Sequence, residues 1–111
     1  MKLFARLREI REFERKHMPF LKSIVDFDIM IEIGHAEEEG RPLTLKQLLL
    51  LKLSSRTTVR RRLARLIEQG IVRRRKNSDD HRSSLLHVAP SSIKLFDKYH
   101  GVLAAVFALA K

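Results

Sequence analysis

Apolar residues recur at intervals of three and four along the start of the chain, which predicts two N-terminal helices within residues 1–39. We expect the first helix over residues 3–17, and Pro19 separates it from a second helix over residues 20–39. Three consecutive glutamates end the second helix and oppose its macrodipole, so we expect this end to fray before Gly40.

Two helix caps lie close together in the middle of the chain. Thr44 and Gln47 have the spacing of a capping box and begin a short helix. Ser55 caps another helix that extends to Gln69, and Gly70 supplies its C-terminal stop. Because only a short turn separates these two capped helices, the pattern predicts a helix-turn-helix.

Beyond this pair the apolar period shortens, and two strands are predicted over residues 71–76 and 85–89. The segment between them is polar and rich in turn-forming residues, so we expect the strands to form a β-hairpin. Pro90 closes the hairpin, and Ser91 or Ser92 is expected to cap a final helix.

These elements predict a fold class that is mainly α with a small β-hairpin wing: a winged helix-turn-helix flanked by N- and C-terminal dimerisation helices. We expect a single winged-helix domain over residues 1–111, with the helix-turn-helix and wing in residues 43–89 and the C-terminal helix in residues 91–110. The stretch 102–110 is apolar around its whole circumference and would be an association patch if it were exposed. Alternatively, it folds back onto its own domain.

The charge is concentrated in one part of the chain. The formal net charge is +10, and residues 41–82 hold the whole excess because the remainder is balanced. A concentrated block of arginines indicates a polyanionic partner, although a solvated basic face is the alternative. The absence of cysteine excludes disulfides and thiol chemistry. The five histidines lack metal-ligand spacing and no catalytic motif is evident, so we predict no metal, no cofactor and no enzyme activity.

The second helix of the helix-turn-helix is the candidate recognition helix. Its buried stripe is predicted at Val59, Leu63, Leu66 and Ile67. The candidates for base contacts lie near the N-terminus, opposite this stripe or on its flanks: Arg56, Thr57, Arg60 and Arg61. Other residues of this helix and the basic wing strand are candidates for contacts to the DNA backbone: Ser55, Thr58, Arg62, Arg65, Arg73, Arg74, Arg75 and Lys76. As alternatives, Ser55 and Thr58 only cap the helix, and Arg62 pairs with an acidic residue on a neighbouring helix.

Residues 55–72 run through the candidate recognition helix and Gly-Ile-Val into the first wing strand, and residues 80–90 hold Asp-x-Arg followed by alternating apolar residues and Ala-Pro. This arrangement resembles the MarR-type regulators, the multiple-antibiotic-resistance regulator family. The resemblance implies a DNA-binding transcription regulator in which Arg82 enters the minor groove and Asp80 orients Arg82.

The chain departs from the family pattern near its C-terminal end. Ala89 replaces the usual threonine, and Ser92 stands where a glycine is common. A single final helix is expected in place of the family's longer C-terminal helical pair.

We therefore expect a dimeric regulator that binds double-stranded DNA sequence-specifically, most simply as a repressor. The alternatives are a winged-helix module that docks protein or RNA, and a non-specific chromatin-type DNA binder. No apolar run approaches the ~20 residues that span a bilayer, and the N-terminus lacks the pattern of a signal peptide. These features predict a cytoplasmic protein without a membrane partner, and no small-molecule effector is identified.

Overall fold

A computed structural model describes residues 2–77 and 83–108 and contains, within them, five helices and two strands. In chain order these elements are α1 (Leu3–His17), α2 (Ile24–Glu38), α3 (Leu45–Leu50), α4 (Arg56–Glu68), β1 (Val72–Lys76), β2 (Ser84–Val88) and α5 (Pro90–Ala108). They form two compact units: the first holds α1 and α5, and the second holds α2, α3, α4 and the hairpin. The class that is mainly α with a β-hairpin is confirmed, whereas a single domain over residues 1–111 stays a prediction.

The core of the second unit consists of aliphatic side chains from its helices and its hairpin. Ile33 of α2, Leu48 of α3, Leu66 of α4 and Leu86 of β2 are almost completely buried. Burial of such side chains contributes about 1.5–3 kcal/mol each, so this core is the main stabilising feature of the unit.

The hairpin is antiparallel and is joined to the segment that precedes α3. Val72 pairs with Val88 at one end of the ladder, opposite the turn. The backbone N–H of Leu86 donates to the carbonyl oxygen of Leu43 at 2.8 Å, and Thr44 forms an isolated bridge to Leu85. The hairpin is therefore hydrogen-bonded to the start of the helix-turn-helix as well as within itself.

The predicted signals at the ends of α3 and α4 are confirmed. The Thr44 N–H donates to the Gln47 side chain at 2.9 Å, and the Gln47 N–H donates to the Thr44 hydroxyl at 3.2 Å. Gly70 follows α4 with a φ of +74°, and the Ile71 N–H donates to the carbonyl oxygen of Leu66 at 2.9 Å. This is a Schellman ending, in which glycine adopts the left-handed conformation without a Cβ clash.

Helix α2 begins later than the sequence predicts and does not end as a free terminus. It starts at Ile24, because Ser23 occupies the N-cap and its N–H donates to the Asp26 carboxylate at 3.0 Å. At the other end, Glu37 accepts a 2.5 Å hydrogen bond from the backbone N–H of Val88 and lies 3.2 Å from Nδ1 of His87. The carboxylate that was expected to weaken this turn instead connects α2 to β2.

The first unit pairs α1 with α5 around aromatic side chains. The ring of Phe13 lies 5.8 Å from that of Tyr99, centroid to centroid. The predicted cap at Ser91 or Ser92 is wrong, since α5 begins at Pro90. Proline suits the first position of a helix because its missing N–H has no helical acceptor there. No described helix is long and apolar enough to cross a membrane.

Candidate nucleic-acid interface

Helix α4 has one face in the core of the second unit and the opposite face open to solvent. Val59, Leu63 and Leu66 of the predicted stripe are buried, and Ile67 is half-buried. These side chains follow the helical repeat, so the residues between them point outward or sideways. The helix is therefore packed along one side and available for contact along the other.

The N-terminus of α4 is capped by a hydroxyl pair. The N–H of Thr58 donates to Oγ of Ser55 at 3.1 Å, and the hydroxyl of Ser55 lies 2.8 Å from that of Thr58. Both residues therefore have the capping role that was considered for them. A phosphate contact at either residue stays a prediction; Ser55 is exposed and Thr58 is half-buried.

The four side chains predicted to contact bases share the exposed part of α4. Arg56, Thr57, Arg60 and Arg61 are all exposed. Over the described part of the chain, none of these three arginines forms an ion pair. The structure therefore brings them together on one surface where their donors remain available, and no acidic residue lies in the first turn of the helix.

The second half of the exposed face has a shallow open depression at Ala64. Arg61, Arg65 and Glu68 line it together with neighbouring side chains of the same helix. Arg65 is exposed, and its contact to the DNA backbone stays a prediction. The small side chain of Ala64 lets another surface approach the helix closely at this position.

Arg62 differs from its neighbours because its guanidinium is already engaged. Nε and Nη2 of Arg62 donate to the two carboxylate oxygens of Asp26 at 2.8 and 2.5 Å. Only 17% of the Arg62 side chain and 2% of the Asp26 side chain are exposed. The alternative considered for Arg62, an ion pair with an acidic residue on a neighbouring helix, is what the structure shows, while a phosphate contact stays untested.

Asp26 is held in its ionised form by these contacts. Burial opposes ionisation, but hydrogen bonds from Arg62 and from the backbone N–H of Lys22 outweigh it, so the pKa of Asp26 lies below its ordinary value. Asp26 was not among the residues predicted from the sequence. The available signal was its spacing after Ser23, which resembles a capping box with aspartate in place of glutamate or glutamine.

The wing strand adds further positive charge to the second unit. Arg73, Arg74, Arg75 and Lys76 are exposed along β1 and alternate between the two faces of the hairpin. Asp80 and Arg82, which the family resemblance implicates in minor-groove contact, lie outside the described residues. Their roles stay predictions.

A capped helix pair followed by an antiparallel hairpin, with arginines on the exposed side of the second helix, defines a winged helix-turn-helix protein. The sequence profile of the MarR family matches residues 23–83, which is more than half of the chain. The chain therefore belongs to the MarR family of transcription regulators. Among the described residues, no cluster of three His, Asp or Glu side chains could hold a metal ion.

Solved structures share this fold at low sequence identity. A MarR mutant from E. coli in complex with operator DNA matches with a TM-score of 0.61 and 16% identity, over 95% of this chain and 74% of that one. A MepR mutant from S. aureus has a TM-score of 0.68 and 16% identity, over 97% and 79% of the chains. BldR from Sulfolobus solfataricus matches with a TM-score of 0.57 and 21% identity, over 96% of this chain and 76% of that one. No curated protein matches the sequence significantly.

Proposed function

We propose that this chain binds double-stranded DNA sequence-specifically, with α4 in the major groove. The observation that carries the proposal is the exposed arginine surface around Arg60 and Arg61, which forms no ion pair with any described residue, on a helix whose other side is packed. Arginine can form two parallel hydrogen bonds to O6 and N7 of guanine, and the methyl group of Thr57 can contact thymine. An E. coli relative with the same fold was solved in complex with operator DNA, which supports a DNA partner.

The remaining basic side chains suit contacts to the DNA backbone. Arg65 lies on the exposed side of α4, and the four basic residues of β1 extend along the wing. Each phosphate that such a cation neutralises releases a counterion, so binding is expected to weaken steeply with salt. In this proposal Arg82 enters the minor groove and Asp80 orients it.

Dimerisation through the terminal helices and repression are further parts of the proposal. Large apolar side chains of α1 and α5 are exposed, among them Leu3, Phe4, Leu7, Ile93 and Phe107. A symmetric dimer would cover such side chains and would present two recognition helices about 34 Å apart, one turn of B-DNA. A dimer that occupies an operator acts most simply by excluding other proteins from it, and we place this activity in the cytoplasm.

A selection of bound duplexes from a random pool tests this proposal. We expect a pseudo-palindromic sequence to be enriched, and Arg61→Ala to flatten the preference at one position of each half-site. A matched variant, Arg73→Ala, is expected to weaken binding to every duplex alike, because it removes a phosphate contact.

Two results would contradict the proposal. Equal binding to all duplexes would indicate a non-specific chromatin-type protein. Displacement of the selected duplex by structured RNA at lower concentration than by the same DNA would indicate an RNA-docking module.

A further inference from the structure

One carboxylate in the second unit collects four hydrogen bonds. Oδ2 of Asp26 accepts from the backbone N–H groups of Lys22 at 2.8 Å and Ser23 at 3.0 Å, and from Nη2 of Arg62 at 2.5 Å. Oδ1 accepts from Nε of Arg62 at 2.8 Å. The side chain therefore joins the first turn of α2 to the middle of α4, across 36 residues of sequence.

The contact between Arg62 and Asp26 affects the direction of the neighbouring side chain, Arg61, because both arginines lie on α4. Arg62 follows Arg61 directly, so the two side chains leave the helix about 100° apart around its axis. Arg62 thus points toward α2 while Arg61 points into solvent. Whatever sets the direction of one side chain also sets the direction of the other.

The other contacts that hold α4 are much less directional. Val59, Leu63 and Leu66 contribute aliphatic burial, which depends on area and tolerates small rotations of a helix. A guanidinium that donates two parallel bonds to one carboxylate tolerates far less change in angle. The ion pair is therefore the contact in this unit best suited to set the rotation of α4 about its axis.

We propose that Asp26 and Arg62 are positioning residues that set the rotation of the recognition helix, so that Arg61 and Thr57 meet the base edges. Arg62 acts from behind the interface and is not a phosphate ligand. This inference rests on the proposed sequence-specific DNA binding. It assigns a role in DNA binding to Asp26, whose side chain is buried and acidic and therefore does not contact DNA directly.

The test compares variants on two DNA probes. The probes are the duplex selected by the wild-type protein and a scrambled duplex of the same length and composition. The variants are Asp26→Asn, Arg62→Met, the double variant and the milder Arg62→Lys, which keeps the charge but not the paired bonds. The matched control is Arg65→Met, an exposed arginine of the same helix. Titrations run over a range of salt, at a temperature where circular dichroism shows every variant folded.

We expect Asp26→Asn and Arg62→Met each to lower the ratio of specific to scrambled binding by about tenfold, the effect of losing roughly one good base contact. The slope of log affinity against log salt should not change, and the double variant should be no worse than either single one. Arg65→Met should weaken both probes alike and reduce the slope by about one unit. Arg62→Lys should lower the ratio by less.

Three outcomes would overturn the inference. A smaller salt slope for Arg62→Met, with the ratio preserved, would make Arg62 a phosphate ligand. An unchanged ratio in Asp26→Asn and Arg62→Lys would show that rotation is set elsewhere. A wild-type ratio near one would remove the proposed function together with this inference, and only that outcome would do so.

Discussion

Among the described residues, each of the two compact units buries one carboxylate, Glu14 in the first and Asp26 in the second, and the two are hydrogen-bonded by different kinds of donor. In the first unit Glu14 accepts from the hydroxyl of Tyr99 at 2.5 Å and from Nη1 of Arg11 at 2.9 Å. In the second unit Asp26 accepts from two backbone N–H groups and from both donors of Arg62.

The difference shows in how each unit responds to pH. Burial, together with the bond to Glu14 and its charge, raises the pKa of Tyr99 above its ordinary value, whereas the pKa of Asp26 is lowered. The first unit thus favours a protonated phenol and the second a deprotonated carboxyl. We expect the first to lose stability in alkali and the second in acid.

The largest effect should come from the apolar core of the second unit, because both α4 and the hairpin pack on this core. Leu66→Ala is expected to lower the free energy of unfolding by about 3 kcal/mol, because it removes a side chain that is 1% exposed. Leu50→Ala is the matched control, since this side chain is 66% exposed, and it should change stability by less than about 0.5 kcal/mol. Urea unfolding measures both, and equal losses would contradict the assignment of the core.

The acid response of the second unit depends on Asp26. Asp26→Asn should cost about 2 kcal/mol near neutral pH, because Arg62 loses its ionised partner. Since the pKa of Asp26 is lowered in the folded state, this contribution is present above the ordinary value of about 3.9 and is lost as the pH falls through the folded-state pKa. Urea unfolding should therefore show the two proteins converging in acid. A constant difference at every pH would contradict this account.

The alkaline response of the first unit depends on Tyr99. Tyr99→Phe should cost about 1.5 kcal/mol at neutral pH, the contribution of a hydrogen bond to a charged group. Because the pKa of Tyr99 is raised, the contribution is present below the ordinary value of about 10 and declines as the pH rises through the folded-state pKa. Unfolding of the wild type and of Tyr99→Phe at rising pH tests this. Both proteins have the same lysines, so the variant shows how much stability is lost through lysine deprotonation alone. If the variant loses stability in alkali as steeply as the wild type, Tyr99 is not responsible.

The smallest expected effects have opposite signs in the two units. Gly70→Ala should destabilise by about 1 kcal/mol, because φ is +74° at this helix end. Gly101→Ala should stabilise by about 0.5–1 kcal/mol, since Gly101 lies within α5 and a Cβ there would meet, among the described residues, no atom within 4 Å beyond its chain neighbours and the local helix backbone. Thermal unfolding distinguishes them, and a shift in the same direction for both would contradict the assigned conformations.

Much of the second unit was predictable because its signals are local. Thr44 and Gln47 form their capping box from residues three apart, and Gly70 ends α4 through bonds within its own last turn. The stripe of Val59, Leu63 and Leu66 follows from the helical repeat. The start of α2 was missed because its capping box, which begins at Ser23, has an aspartate in place of glutamate or glutamine. The start of α5 was missed because a proline takes its first position.

The exposure of the candidate base-contacting side chains was predictable from the sequence, but the partner of Arg62 was not. Four exposed side chains of α4 lie where the helical repeat places them, while Arg62 has turned to Asp26. The sequence left two alternatives for Arg62, because an arginine beside the buried stripe of a helix can face either DNA or a neighbouring helix.

Local spacing was thus enough to establish the helix pair, the hairpin and the outward face of α4, because caps, turns and helical periods act within a few residues. The long-range partners of the charged side chains came only from the tertiary structure. Arg62 meets Asp26 across 36 residues, Val88 meets Glu37 across 51, and Tyr99 meets Glu14 across 85. Such pairs depend on the direction in which packed elements face one another, and no periodicity in the chain encodes that direction.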